Sequence, residues 1–216
     1  MDRDSGRAQV IKAAKLLYAR SLLNAFEGNV SCRVGRTLFI TPSQVCKEEL
    51  TVEDLVEVDI ETGKTLSENH GRRASSELLM HLCCYRERPD VFGIAHAHPP
   101  YATAFALRGQ PIETEGYPEM MLLFQKVPVC RYGRPSTPEV CDDIPEALAS
   151  YDTFLLANHG LSAVGATPME AMYRLESIES IAKVLFIARA GGGEVSLGAG
   201  ECESLKNAYF ANRGVI

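Results

Sequence analysis

The sequence has no long uninterrupted run of apolar residues. A membrane-spanning helix needs about eighteen or more such residues in a row, and no stretch of the chain approaches that length. The chain also opens on the polar stretch Met1-Asp2-Arg3-Asp4 and lacks the apolar segment of a secretory signal. We therefore expect no membrane partner and a cytoplasmic location.

Clustered basic residues are missing as well. Lysine and arginine number 22 against 28 aspartates and glutamates, which gives the chain a net charge of −6. The basic side chains are scattered along the sequence and form no run. A surface of this charge is a poor match for a phosphate backbone, so we expect no nucleic-acid partner.

Paired cysteines and internal repeats are also absent. Seven cysteines is an odd number, and no two of them follow the Cys-x-x-Cys spacing. This pattern argues against a disulfide framework and against a cysteine-rich zinc module. The 216 residues show no internal repeat and are enough for one full hydrophobic core, so we predict a single domain over residues 1–216.

Apolar periodicity predicts helices mixed with strands. The glycine run from Gly191 to Gly193 ends a long helix and precedes a short last one, which we interpret as a C-terminal arm from about residue 191. The predicted helices span residues 6–25, 76–88, 100–107, 137–150, 167–190 and 201–211, and the predicted strands span 30–34, 37–40, 55–59, 91–98, 127–129 and 153–157. Because hairpins occur early, the predicted class is α/β, with a central mixed or mostly antiparallel sheet covered by helices.

Three of the five histidines follow predicted strands. His96 and His98 alternate at the end of one apolar run, so we expect both side chains on one face with Cα atoms about 7 Å apart. His159 closes the apolar run over residues 153–157. Three imidazoles that converge at one sheet end leave a coordination position open, as catalytic zinc sites do. We therefore predict that these histidines bind one zinc ion per subunit; the alternative is that they are ordinary strand-end residues.

Small polar residues are concentrated in three short segments. Gly28-Asn29-Val30-Ser31 and Thr41-Pro42-Ser43-Gln44 flank strands of the first hairpin, and Ser75-Ser76-Glu77 opens a helix. Backbone N–H groups, hydroxyls and a helix N-terminus together bind a phosphate without lysine or arginine. Taken singly, each segment is explained equally well by the capping of a turn or a helix.

The order and separation of these motifs resemble the class II aldolase/adducin family, most closely its L-fuculose-phosphate aldolase branch. The resemblance covers nearly the whole chain, from Gly28 through Ser75-Ser76-Glu77 and His96-Ala97-His98 to Asn158-His159-Gly160. It implies a zinc-dependent aldolase that cleaves a ketose 1-phosphate, similar to L-fuculose 1-phosphate, to dihydroxyacetone phosphate and an aldehyde such as L-lactaldehyde. It also implies a cyclic homotetramer with active sites at subunit interfaces.

The resemblance further implies roles for individual residues. The three histidines hold zinc, which acts as a Lewis acid on the ketose phosphate. Glu77 lies against the metal as the general base, and a carboxylate there can move protons if its pKa is raised towards neutrality. Phosphate is held by the residues that match the family's loops, namely Gly28, Asn29, Ser43, Ser75 and Ser76, and we add Gln44 as a further candidate. Gln44 departs from the glycine common at this position in the family, and it either narrows the phosphate pocket or hydrogen-bonds the substrate.

Two tyrosines are candidates for the phenol that serves the aldehyde oxygen. Tyr209 lies in the last helix, in the tail that the family sends to a neighbouring active site. Tyr117 is near the position of the family's other tyrosine but slightly out of register with it. Both positions also fit ordinary core or surface tyrosines.

Residue 77 discriminates among enzymes that the chain resembles. The family's ribulose-phosphate 4-epimerases place aspartate there as a metal ligand, whereas this chain has Glu77. Methylthioribulose-phosphate dehydratases and four-carbon-acid phosphate decarboxylases keep the glutamate and stay as alternatives, as does a non-catalytic adducin-like binding module. His81 follows Glu77 on the same helical face, and we expect it to be a buried histidine with a hydrogen-bond partner rather than a fourth ligand.

Overall fold

The computed structural model describes residues 2–67 and 71–213. The strands are β1 (Asn29–Val34), β2 (Thr37–Ile40), β3 (Val56–Asp59), β4 (Gly93–Ala97), β5 (Val129–Cys130), β6 (Thr153–Leu156) and β7 (Gly160–Gly165). The α-helices are α1 (Arg3–Ala19), α2 (Leu78–Glu87), α3 (Pro100–Leu107), α4 (Ile144–Leu148), α5 (Pro168–Ala190) and α6 (Ala199–Arg213). Short 3-10 turns span Val52–Asp54 and Pro138–Cys141, and one π turn spans Met120–Phe124.

One sheet contains all seven strands, in the order β3-β2-β1-β4-β7-β6-β5. Every neighbouring pair is antiparallel except β5 and β6, which are parallel. The predicted class, a single α/β domain with a mostly antiparallel sheet covered by helices, is therefore confirmed. The proline-containing segment predicted over 127–129 lies at one end of the sheet, where a missing ladder hydrogen bond is tolerated.

Strand β7 decides where the functional residues meet. It lies between β4 and β6 and is antiparallel to both, so those two strands run in the same direction. Their C-terminal residues, Ala97 and Leu156, pair with Leu161 and Gly160 at the start of β7. The residues that follow β4 and β6 therefore emerge at the same edge of the sheet.

Helices cover both faces of the sheet. Helices α1, α3 and α5 pack on one face and α2 and α4 on the other, each over its own cluster of buried apolar side chains. Neighbouring residues of β2 show the alternation, since Phe39 packs in the first cluster and Leu38 and Ile40 pack in the second. Two buried layers hold the sheet rigidly and fix the edge at which β4 and β6 end.

Several predicted boundaries were wrong. The first helix ends at Ala19 rather than at residue 25, although Leu22 and Leu23 beyond it stay buried. The helix predicted over 137–150 is a 3-10 turn followed by the short α4, because Pro145 lacks an amide hydrogen and starts a new helix instead of continuing one. Strand β7 was not predicted at all.

The C-terminal stretch contains the predicted glycine stop and last helix. Gly191 caps α5, and α6 follows after a connecting stretch. Cys202 of α6 is buried, and its thiol approaches the Glu115 carbonyl oxygen at 3.9 Å. Residues 214–216 of the predicted arm lie outside the described residues. Among the helices that are described, none is both long enough and apolar enough to cross a membrane.

Candidate active site

The three histidines predicted to bind metal meet at the sheet edge where β4 and β6 end. His96 lies in β4, His98 directly follows that strand, and His159 lies in the tight turn between β6 and β7. The ring centroids of the three pairs are 4.8 to 5.0 Å apart. The Nε2 atoms of His96 and His98 approach to 3.1 Å. The predicted convergence of these three imidazoles is thus what the fold produces.

Glu77 completes this group of side chains. It immediately precedes α2, and its Oε1 lies 2.6 Å from Nε2 of His159 while its Oε2 lies 3.1 Å from Nε2 of His96. One ligand atom from each of the four residues lies within 4.8 Å of the other three. A set of three imidazoles and one carboxylate is a suitable donor set for a divalent transition metal.

The register of the sheet orients His96 towards this cluster. Ser162 of β7 lies directly opposite His96, and the serine Oγ is 2.9 Å from His96 Nδ1. The serine hydroxyl points towards the Met80 sulfur at 4.0 Å, so Oγ is free to accept the Nδ1 hydrogen. His96 then presents the lone pair of Nε2 to the cluster, as a metal-ligating histidine does when its other nitrogen is hydrogen-bonded. These residues fit a metal ion.

The electrostatics of the cluster favour a carboxylate and a neutral imidazole. Burial opposes ionisation of Glu77, but the neighbouring imidazoles of His96 and His159 outweigh it and lower the pKa of the carboxyl. This arrangement of side chains therefore does not give the raised pKa that was the condition for proton transfer by Glu77. Burial, and then the neighbouring His96 and His159, lower the pKa of His98 to about 3, which leaves its ring neutral and able to act as a ligand at pH 7.

A polar cleft of about 240 Å³ opens beside the cluster. Glu77, His98 and His159 form one side of it. The remaining lining includes all six residues predicted to hold phosphate, which are Gly28, Asn29, Ser43, Gln44, Ser75 and Ser76. The three polar segments therefore meet in one place, and the N-terminus of α2 adds its partial positive charge there.

Backbone geometry in the cleft explains two of the glycines. Gly28 has a positive φ of 67°, and a Cβ built there would lie 2.8 Å from the His96 carbonyl oxygen. A Cβ on Gly160 would lie 2.6 Å from the His98 ring, so only glycine lets β7 start beside that imidazole. Gln44 also has a positive φ, 57°, a conformation that glycine adopts without strain and glutamine does not.

Lys47 is the main cleft residue that the sequence analysis missed. Its side chain is 1% exposed, lines the cleft and donates a hydrogen bond of 3.0 Å to the Val45 carbonyl oxygen. Within residues 2–67 and 71–213, no carboxylate pairs with it. Burial lowers the pKa of the Lys47 ammonium, and Cys46 and Glu77 offset part of that shift.

Other contributors to the site carried little sequence signal. Glu27 Oε2 lies 3.6 Å from Nδ1 of His98, and Phe26 and Pro135 also line the cleft. Ser162 belongs to the unpredicted strand β7 and so could not be matched to His96 from the sequence. Each of these residues acts through its place in the fold rather than through a motif.

His81 is a buried histidine with hydrogen-bond partners, as predicted. Its Nε2 bonds the Asn29 side-chain oxygen, and its Nδ1 lies 2.7 Å from Ser31 Oγ. Asn29 in turn donates from Nδ2 to Oε2 of Glu77 at 2.6 Å. The His81 ring is fully buried. Burial lowers the pKa of His81 to about 3, so the imidazole is neutral at pH 7.

The two candidate tyrosines lie away from the cleft within one chain. Tyr117 is half-buried against the main core and lines a different groove, beside Glu119 and Glu176. Tyr209 is half-buried on α6. Among the described residues that line the cleft beside the histidines, none is a tyrosine. A catalytic role for either tyrosine stays a prediction, and it requires that the side chain reach the cleft of a neighbouring subunit.

Comparison with known proteins reveals the relatives of the chain. Residues 8–186 match the family described as Class II Aldolase and Adducin N-terminal domain. The chain is 32% identical to 3-oxo-tetronate 4-phosphate decarboxylase of Pectobacterium atrosepticum, over 84% of each protein. It is 32% identical to L-fuculose phosphate aldolase of Methanococcus vannielii, over 82% of this chain and 93% of that protein. A solved L-fuculose 1-phosphate aldolase superposes with a TM-score of 0.86 at 29% identity, covering 97% of this chain and 98% of the other.

A seven-stranded sheet with three histidines and a glutamate at one edge defines an α/β protein with a candidate metal site. The chain belongs to the class II aldolase/adducin family, as residues 8–186 and both relatives show. Its relatives include an aldolase and a decarboxylase, so membership of the family does not identify the specific reaction.

Proposed function

We propose that this chain is a zinc-dependent aldolase that cleaves a ketose 1-phosphate, similar to L-fuculose 1-phosphate, to dihydroxyacetone phosphate and an aldehyde such as L-lactaldehyde. The observation that carries the proposal is the position of the Glu77 carboxylate. It contacts His96 and His159 and also borders the cleft formed by the three polar segments. A proton-transfer group therefore lies between a metal-binding cluster and an anion-binding cleft.

His96, His98 and His159 would hold the metal through ring nitrogens, one cluster per chain among the described residues. Zinc is favoured because neutral imidazoles suit it and three protein ligands leave positions for substrate oxygens. When bound, the metal supplies Lewis-acid polarisation of the ketose carbonyl.

Cleavage moves one proton from the C4 hydroxyl of the ketose to C3. The C3–C4 bond breaks, its electron pair goes to C3, and the C4 oxygen becomes the aldehyde oxygen. We assign Glu77 the proton at C3, since its carboxyl group lies against the cluster and borders the cleft. In the condensation direction the carboxylate takes that proton, and in cleavage the protonated carboxyl group returns it to C3. A phenol, Tyr209 or Tyr117, exchanges the proton at the C4 oxygen.

The phenol is proposed to come from a neighbouring subunit of a homotetramer. Deleting residues 201–216 removes most of α6. The turnover number for aldol cleavage should fall at least about tenfold, because the phenol that exchanges the proton at the C4 oxygen is lost. The zinc content should not change, since all three histidines precede the deletion. Turnover and elemental analysis of the truncated protein check this result.

Single substitutions separate the phenol from the packing of the tail. Tyr209→Phe should reproduce part of the loss in turnover, whereas Tyr132→Phe, at a tyrosine that is 60% exposed, should have no effect. If the truncated protein works at the full rate, the tail only packs against its own chain.

Lys47 is proposed to bind an anionic oxygen of the substrate at the phosphate end of the cleft. The Lys47 ammonium is buried and donates to one carbonyl oxygen, so a bound dianion would stabilise its positive charge by a strong, charge-assisted hydrogen bond. Lys47→Met should weaken binding of dihydroxyacetone phosphate about tenfold or more, the expected effect of losing a charged hydrogen bond. Calorimetric titration of the zinc-loaded protein measures this affinity, with the exposed Lys64→Met as the matched control. Equal affinity in the Lys47 and Lys64 variants would contradict this role.

Decarboxylation of a 3-oxo-tetronate 4-phosphate is a second candidate function. It is favoured by the Pectobacterium relative and by Lys47, a cation that suits a substrate with two anionic groups. The deciding experiment offers zinc-loaded protein a panel of ketose 1-phosphates and 5-phosphates and, separately, a 3-oxo-tetronate 4-phosphate. We expect release of dihydroxyacetone phosphate from a ketose 1-phosphate; faster release of carbon dioxide would overturn the aldolase proposal. The epimerase and dehydratase alternatives, the binding-module alternative and the cytoplasmic location stay predictions.

A further inference from the structure

A ladder of polar side chains runs between helix α2 and strand β1. Glu77, His81 and Tyr85 lie four residues apart, so they share one face of the helix and follow one another along it. Asn29 and Ser31 lie two residues apart, so they share one face of the strand. Four helical residues advance about 6 Å and two strand residues about 7 Å, so the two rows stay in step.

The contacts of this ladder form one continuous chain of hydrogen bonds. Tyr85 Oη lies 2.9 Å from Ser31 Oγ, and Ser31 Oγ lies 2.7 Å from His81 Nδ1. His81 Nε2 bonds the Asn29 side-chain oxygen, and Asn29 Nδ2 lies 2.6 Å from Glu77 Oε2. The four residues that lead to Glu77 are all buried, with exposed fractions of 0 to 3%.

The direction of every bond follows from the orientation of the Asn29 amide. Its Nδ2 donates to Glu77 Oε2, and its side-chain oxygen, which can only accept, faces His81. His81 Nε2 must then donate, and Nδ1 must accept from the Ser31 hydroxyl. Ser31 Oγ accepts in turn from Tyr85, whose hydroxyl ends the chain. Neutral His81 is required for this order, and its full burial favours that form.

We propose that Tyr85, Ser31 and His81 are positioning residues that hold the Asn29 amide in the orientation that fixes Glu77 for proton transfer. The amide is the switchable part, because its two ends have nearly the same shape. With the His81 donor removed, the Asn29 oxygen loses its partner, so the amide is no longer anchored and can tilt or turn away from Glu77. The carboxylate would then shift, and a displacement of about 1 Å at a reacting group can cost about a hundredfold in rate.

Two substitutions at His81 test this positioning role. The rate measurement rests on the proposed function, because kcat is measured for aldol cleavage. His81→Leu removes the donor to Asn29, whereas the amide nitrogen of His81→Gln takes about the same place as Nε2 and restores it. We expect kcat to fall about 10- to 100-fold in the leucine variant with little change in KM, the size of effect seen when a supporting hydrogen bond is lost. We expect the glutamine variant to recover to within about threefold of the unaltered protein, and Tyr85→Phe to lose less than the leucine variant.

A matched control separates positioning from loss of stability. Leu82→Ala truncates the buried neighbour of His81 on α2 and should lower the melting temperature without lowering kcat. An unchanged kcat in His81→Leu, or an equal fall of kcat in Leu82→Ala, would overturn the proposal. So would a glutamine variant that folds and stays as slow as the leucine variant.

A measurement on the unaltered, zinc-loaded protein needs neither activity nor a variant. Nitrogen NMR of the histidine rings reports the tautomer, and we expect His81 to carry its single hydrogen on Nε2. A hydrogen on Nδ1 would reverse the chain and overturn the proposal. If the protein cleaves no ketose phosphate, the proposed function fails, while the tautomer still decides whether this network exists.

Discussion

Glu77→Gln should lower aldol cleavage at least about a hundredfold, the usual contribution of a general base, while the fold and the metal are retained. The amide has nearly the shape of the carboxyl group, so the loss is chemical rather than structural. Its oxygen can still accept from Asn29, but the amide can neither give a proton to C3 in cleavage nor take one from it in condensation. Steady-state turnover and the zinc content of the same preparation measure the two parts of this result.

Glu27 provides the matched control for this substitution. It is a second carboxylate at the same cleft, 3.6 Å from His98, and its side chain is 39% exposed. Glu27→Gln should change turnover only slightly, because this carboxylate contacts one histidine weakly and does not reach His96 or His159. Near-normal turnover in Glu77→Gln would place the base on another residue.

His96→Ala should abolish tight metal binding and, with it, turnover. His96 is fully buried and its ring contacts the other three members of the cluster, so no other side chain is placed to replace its nitrogen. Elemental analysis after dialysis against a chelator is the direct measurement. One firmly held zinc per subunit in that variant would remove His96 from the metal site.

Ser162→Ala gives a graded control for the same site. It removes the acceptor for the His96 Nδ1 hydrogen and leaves all four cluster residues in place. Loss of such a supporting partner typically weakens metal binding about 10- to 100-fold, so this variant should bind zinc more weakly than the unaltered protein and far more tightly than His96→Ala.

The convergence of the three histidines, Glu77 and the three polar segments could be predicted because their signals are local. A His-x-His pair at the end of an apolar run and a third histidine after another run identify the strands on which they lie. Gly28, the serine pair at residues 75–76 and Glu77 mark a turn and a helix start. The structure brings all of these together, with no change in the residues proposed.

The features that were missed depend on contacts distant in sequence. Strand β7 begins and ends in glycine and contains Ser162, so its composition suggests a turn as readily as a strand. Lys47 lies in an irregular segment, and nothing near it predicts that an ammonium is buried there. The lowered pKa of Glu77 also needed structure, since it arises from the contacts with His96 and His159.

The intervening strand β7 links metal binding to folding of the whole sheet. Of the three histidines, an unfolded chain holds only His96 and His98 close together, because His159 reaches them after β7 has paired with both β4 and β6. A ligand that binds the folded chain alone stabilises it by about 4 kcal/mol at a thousand times its dissociation constant. The seven thiols of the unfolded chain compete for the ion and hold the gain below that ceiling. A zinc ion held by His96, His98 and His159 would therefore raise the free energy of unfolding of the whole sheet, in addition to the chemistry proposed for it in the cleft.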